Sequence, residues 1–154
     1  THPVVMDLLP PEFKKMGVFP VGRLDKDTEG LLLLTNDGIW AHSIINGHKH
    51  VPKVYYVEFN GKLTKEGIAR IETGIVLGDG TQCKPANIDV LSEQSLHITI
   101  EEGKYHQVKR MIGAAGGEVT YLKRLSIGHI TLDGIEAINT YSEIADQDVV
   151  EFKK

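Results

Sequence analysis

The sequence predicts an α+β fold: a mixed, largely antiparallel β-sheet with a few flanking helices. Three observations point there. Short strand patterns are joined by tight turns, residues 86–91 to 96–101 across 92–95, and 119–127 to 130–132 across Gly128-His129. Helical periodicity is confined to short stretches. Sixteen glycines in 154 residues suit turns and close backbone approaches better than a helical bundle.

Taken in order, residues 4–9 read as a short helix stopped by Pro10-Pro11. Residues 18–24 read as a strand. The continuous apolar run Leu31-Leu32-Leu33-Leu34 is short for a helix and fits a strand buried on both faces. Asn36-Asp37-Gly38 marks a turn, and Asp37 can cap a helix over residues 38–45. Residues 53–59, rich in Val and Tyr, form the next strand, ended by a turn at Asn60-Gly61. Thr64 caps a helix reaching Thr73, with Ile68 and Ile71 inward, and Gly74, Gly78 and Gly80 break the stretch beyond it. Val108, Met111, Ile112 and Ala115 recur at helical spacing, so residues 106–115 form an amphipathic helix that Gly116-Gly117 ends. No internal repeat interrupts this pattern.

The length suits one domain with a core of its own. A lone cysteine, Cys83, makes no internal disulfide, and no apolar run is long enough to span a bilayer. Both point to an intracellular, cytoplasmic protein with no membrane partner. The net charge of −4 argues at first against nucleic acid. Its distribution reverses that inference. Residues 129–154 sum to −4, so residues 1–128 are formally neutral, with basic stretches at 48–53, 104–110 and 123–124. A basic groove on an acidic chain is compatible with this pattern.

The most unusual segment runs Gly22-Arg23-Leu24-Asp25-Lys26-Asp27-Thr28-Glu29-Gly30, just before the four leucines. Arg23 and Asp25, two apart on a strand, share a face. Asp25, Asp27, Glu29 and Gly30 imitate the start of a calcium loop, but the ninth position is Leu33 and the twelfth is Asn36, which excludes an EF-hand. His48 and His50 have no further ligand at metal-binding spacing, so no metal is expected. A polar hairpin turn and a catalytic carboxylate beside an arginine both remain open on spacing alone.

The segment from Gly22 through Gly38 resembles the signature of the pseudouridine synthases, most of all the branch acting on small-subunit ribosomal RNA. Three further stretches resemble that family's motifs in the same order: Lys53-Val54-Tyr55, then Glu102-Gly103-Lys104-Tyr105-His106-Gln107-Val108-Lys109-Arg110-Met111, then Arg124 through Gly128. Full-length relatives begin with a small RNA-binding domain and a strand that have no counterpart here. The resemblance therefore implies a truncated catalytic domain spanning residues 1–154, starting inside a longer parent that is expected to be monomeric.

The resemblance also implies the activity: isomerisation of a uridine in ribosomal RNA, most simply 16S rRNA, by base flipping and without a cofactor. Such a step belongs to ribosome biogenesis. Asp25 would be the essential carboxylate, and Lys109 the cation that keeps it ionised against the cost of burial. Arg23 would displace the target base, unless it is a structural partner of Asp27 or Glu29. Tyr55 would stack on the flipped uracil and take part in proton transfer, whereas Tyr56, on the opposite strand face, reads as core. Lys53, on Tyr55's face, would bind phosphate or support the site, and Val108 would pack on the base. Of Lys123 and Arg124, the motif turns Arg124 to the cleft. Lys104, His106 and Arg110 are candidates for phosphate contact, with His106 equally readable as a partly buried histidine.

Overall fold

The computed structural model describes residues 19–21, 28–35, 51–102, 106–128 and 130–131. The helices expected over residues 4–9 and 38–45, and the turn between 36 and 38, lie outside this set.

Eight strands and two helices are described: β1 (Phe19–Val21), β2 (Glu29–Gly30), β3 (Leu33–Thr35), β4 (Lys53–Gly61), α1 (Lys65–Thr73), β5 (Asn87–Ser92), β6 (Ser95–Ile100), α2 (Gln107–Ala114), β7 (Gly117–Ile127) and β8 (Ile130–Thr131). The larger sheet runs β2-β7-β4-β6-β5, with β8 also paired to β7. All its pairings are antiparallel except β2 with β7, which is parallel. β1 and β3 form a separate antiparallel pair. The fold class read from the sequence holds.

Alternation places the core. Positions Val57 and Phe59 of β4, Leu96, Ile98 and Ile100 of β6, and Leu122 of β7 face the helices. From α2 come Val108, Met111 and Ile112, with Ala115 just beyond its end, the spacing that the sequence prescribes. Full burial of Met111 or Ile112 is worth about 1.5–3 kcal/mol relative to exposure. α1 is capped as expected: the Thr64 hydroxyl accepts from the Gly67 amide at 3.0 Å. Its inner face is Ile71 and Gly67, while Ile68 stays half-buried.

Four local expectations are revised. Asn60 and Gly61 continue β4 rather than turning, paired to Glu118 and Gly117, because Gly61 adopts a positive φ of 87° that a strand end can hold. The four leucines are not buried on both faces: Leu31 and Leu33 are buried, Leu32 and Leu34 only partly, and the strand begins at Leu33. β5 is an edge strand with one half-buried residue, Ile88, and not a half-buried alternating one. Tyr56 is not core. It lies on the face away from the helices, edge-on to His97 and Tyr121, with its hydroxyl donating to Glu58 Oε1 at 3.2 Å.

Candidate active site

The signature segment is anchored at both flanks. Before it, β1 pairs with β3, Val21 opposite Leu33. After it, β2 lies parallel to β7, with Glu29 opposite Lys123 and Gly30 opposite Arg124. Leu31 and Arg124 then hold each other twice. The Leu31 amide donates to the Arg124 carbonyl, and Arg124 Nε donates to the Leu31 carbonyl, each at 2.8 Å. Tyr121 adds a hydroxyl bond to Glu29 Oε2 at 2.9 Å. Gly30 sits at φ 111°, and a side chain there would overlap the backbone of Arg124. Only glycine allows both the backbone angle and the approach. Arg23 and Asp25 themselves lie outside the described residues, as does Lys104.

Across β7, the register brings Arg124 opposite Tyr55. Tyr55 is half-buried and packs on the apolar core, while Lys53, two residues earlier, is 3% exposed and Arg124 2% exposed. Two buried cations thus flank one tyrosine on one face of the sheet. Lys53 Nζ is buried and has no hydrogen-bond partner among the described residues. Burial first, then the Arg124 guanidinium, push its ammonium below the usual lysine range, and Glu102 opposes them. A register shift in β4 falls between Val54 and Tyr55, between the two residues of the site.

The third motif supplies a support that residue types alone did not reveal. Glu102 Oε1 accepts from the Lys84 amide at 2.7 Å and from Gln107 Nε2 at 2.8 Å. Gln107 is buried and opens α2, so the carboxylate ties the helix start to the loop before β5. The signal available was the fixed spacing of Glu102 and Gln107 inside one motif. His106 precedes the helix in the left-handed region, φ 48° and ψ 37°, a conformation histidine tolerates better than most residues. Val108 is buried in the core. Lys109 is partly exposed on the first turn of α2. Arg110 Nη2 donates to Asp79 Oδ2 at 2.6 Å, so this candidate phosphate contact already holds a carboxylate. Lys123 occupies the opposite face of β7 from Arg124 and is partly exposed. No cluster of metal-ligating side chains occurs among the described residues.

A cavity of about 350 Å³ opens at the far end of β4, lined by Phe59, Leu63, Ile68, Val90 and Leu96. It is formed by different residues from those of the site, at the other end of the strand.

A mixed sheet is thus backed by two helices, with Glu29 to Leu31 clasped to a buried arginine. A solved structure titled "Crystal structure of pseudouridylate synthase" superposes with a TM-score of 0.90 at 34% identity, covering 97% of this chain and 65% of that one. A chain of an H/ACA ribonucleoprotein bound to a substrate RNA shares the fold at a TM-score of 0.55 and 18% identity, over 80% of this chain and 44% of that one. The profile of the family described as RNA pseudouridylate synthase matches residues 2–114. A Bacillus subtilis (strain 168) protein named uncharacterized RNA pseudouridine synthase YtzG is 47% identical over 94% of this chain and 62% of its own length. Ribosomal small subunit pseudouridine synthase A of Pasteurella multocida (strain Pm70) is 40% identical over 86% of this chain and 58% of its own. This chain belongs to the RNA pseudouridylate synthase family. It spans about three-fifths of the length of these curated relatives.

Proposed function

We propose that the chain is the catalytic domain of an RNA pseudouridine synthase that isomerises a uridine of ribosomal RNA, in the small subunit, in the cytoplasm. The observation that carries this reading is the clasp between β2 and β7. It fixes the segment after Asp25 to Arg124, whose cross-strand neighbour is Tyr55. The names of the curated relatives support ribosomal RNA as substrate, and those called ribosomal small subunit pseudouridine synthase A support the small subunit.

The reaction breaks the C1′–N1 bond with the electron pair retained by the base. It then joins C1′ to C5 with a pair from the ring, as the C5 proton leaves and N1 gains one. No oxidation occurs and no cofactor is invoked. Asp25 supplies the carboxylate at the sugar, and Lys109 keeps it ionised. Arg23 helps displace the base, a step that costs a few kcal/mol. Tyr55 stacks on the flipped ring. Val108 contributes the buried apolar wall, and Lys104, His106 and Arg110 are the residues proposed to contact phosphate. For Arg110 this requires exchange of Asp79 for a phosphate.

Asp25→Asn tests the reading. The variant is expected to melt with the wild type and to form no pseudouridine in ribosomal RNA, measured by tritium release from 5-³H-uridine transcripts. An asparagine variant with wild-type turnover sinks the assignment.

A further inference from the structure

On the reading of the chain as a pseudouridine synthase, we propose that Lys53 stabilises the negative charge that the uracil ring holds between its departure from C1′ and its return through C5. A buried polar atom without a partner costs free energy, and Lys53 Nζ, in a residue 3% exposed, has none among the described residues. Its position is set by β4, where Lys53 pairs with Ile100 and Ile127 on its two neighbouring strands. The charged groups that face it among the described residues are Arg124 from β7 and Glu102 after β6. Arg124 Nε is committed to the Leu31 carbonyl, and Glu102 Oε1 holds Lys84 and Gln107.

A phosphodiester is a poor fit for the missing partner. Backbone phosphates are contacted at the protein surface and stay largely hydrated, whereas Lys53 lies in the floor of the sheet. A flipped uracil fits better. It is flat and stripped of water, and it becomes anionic only while detached. Tyr55, the residue proposed to stack on it, shares Lys53's face two positions along the strand. A charge placed in a dry site before the reaction needs no reorganisation when the anion forms, which makes it selective for that state over the bound uridine. The cost of leaving the ammonium unpartnered is thus tied to the step in which a partner appears. Burial and Arg124 lower its pKa and Glu102 opposes them, so this charge titrates away below the usual lysine range.

The test compares Lys53→Met and Lys53→Arg with the wild-type protein on a ribosomal RNA transcript. Lys53→Met should lose about 100-fold in kcat, the size of one lost preorganised donor, with KM nearly constant. Lys53→Arg, which keeps its charge at every accessible pH, should recover most of that loss and move the alkaline fall in kcat to higher pH. Wild-type kcat in Lys53→Met overturns the proposal. Should the methionine variant fail to fold, the arginine variant decides alone, and an alkaline fall at the wild-type pH overturns it. Asp25→Asn is run beside them, so that failure of the pseudouridine synthase reading is seen separately.

Discussion

On its helix side, the sheet rests on Val57, Phe59, Leu96, Ile98 and Leu122 beneath Ile71, Met111 and Ile112, a continuous apolar cluster with no charged member. At the β2–β7 seam, barely two residues of strand are joined by a buried guanidinium, a tyrosine–carboxylate bond and a glycine pressed on a backbone. The first region is stabilised by area removed from water, which is tolerant of detail. The second depends on a few directional contacts, each sensitive to a single atom. The segment proposed to hold the catalytic carboxylate is attached to the second region. Stability and chemistry are therefore separable in this molecule, and substitutions can expose the division.

The largest effect on stability is expected from Met111→Ala. It opens a cavity in the cluster at a fully buried position and should cost about 2–5 kcal/mol by denaturant unfolding. The activity of the molecules that remain folded should stay near wild type. A specific loss of kcat, with the folded fraction accounted for, contradicts the separation. Gly30→Ala comes next. The positive φ alone costs about 1–3 kcal/mol, and the added methyl also forces the clasp off Arg124. Here activity should fall further than stability predicts. A variant that melts lower yet turns over normally shows that the clasp does not position the site.

Asp79→Asn should have the smallest effect. Hydrogen bonds from Thr81, and then from Arg110, hold the Asp79 carboxyl down to about 2 from an ordinary 3.8. A lowered carboxylate pKa adds stability above the ordinary value, and that stability is lost as pH falls toward about 2. The asparagine variant should therefore melt slightly lower than the wild type at neutral pH, an effect kept small because the pair is exposed, and converge with it between about pH 4 and 2. A steeper acid fall contradicts this assignment. RNA affinity should rise slightly at low salt if Arg110 is released to phosphate.

Much of the fold was legible because it depends on period. Helix α2 follows from Val108, Met111, Ile112 and Ala115 at helical spacing, and α1 from a Thr64 cap. The misread places share a cause. Asn60-Gly61 carries a turn signal, yet pairing with Glu118 and Gly117 keeps it in the strand. Tyr56 is large and aromatic, yet its parity in β4 sends it to the face away from the helices. Local chemistry cannot say which face of a strand will be covered.

The sequence alone determined the α+β class, the two described helices and the set of motif residues, because these are written in spacing and residue type within a few positions. It also carried the family, through the order of four motifs. Only the tertiary structure decided that Arg124 turns inward to hold Leu31, that Arg110 already holds Asp79, and that Lys53 is buried with no hydrogen-bond partner among the described residues. Each of these depends on residues from about 30 to more than 90 positions apart in the chain, or on how deeply a strand is covered. Those distances close only when β2 joins β7 and α2 packs beside the loop before β5.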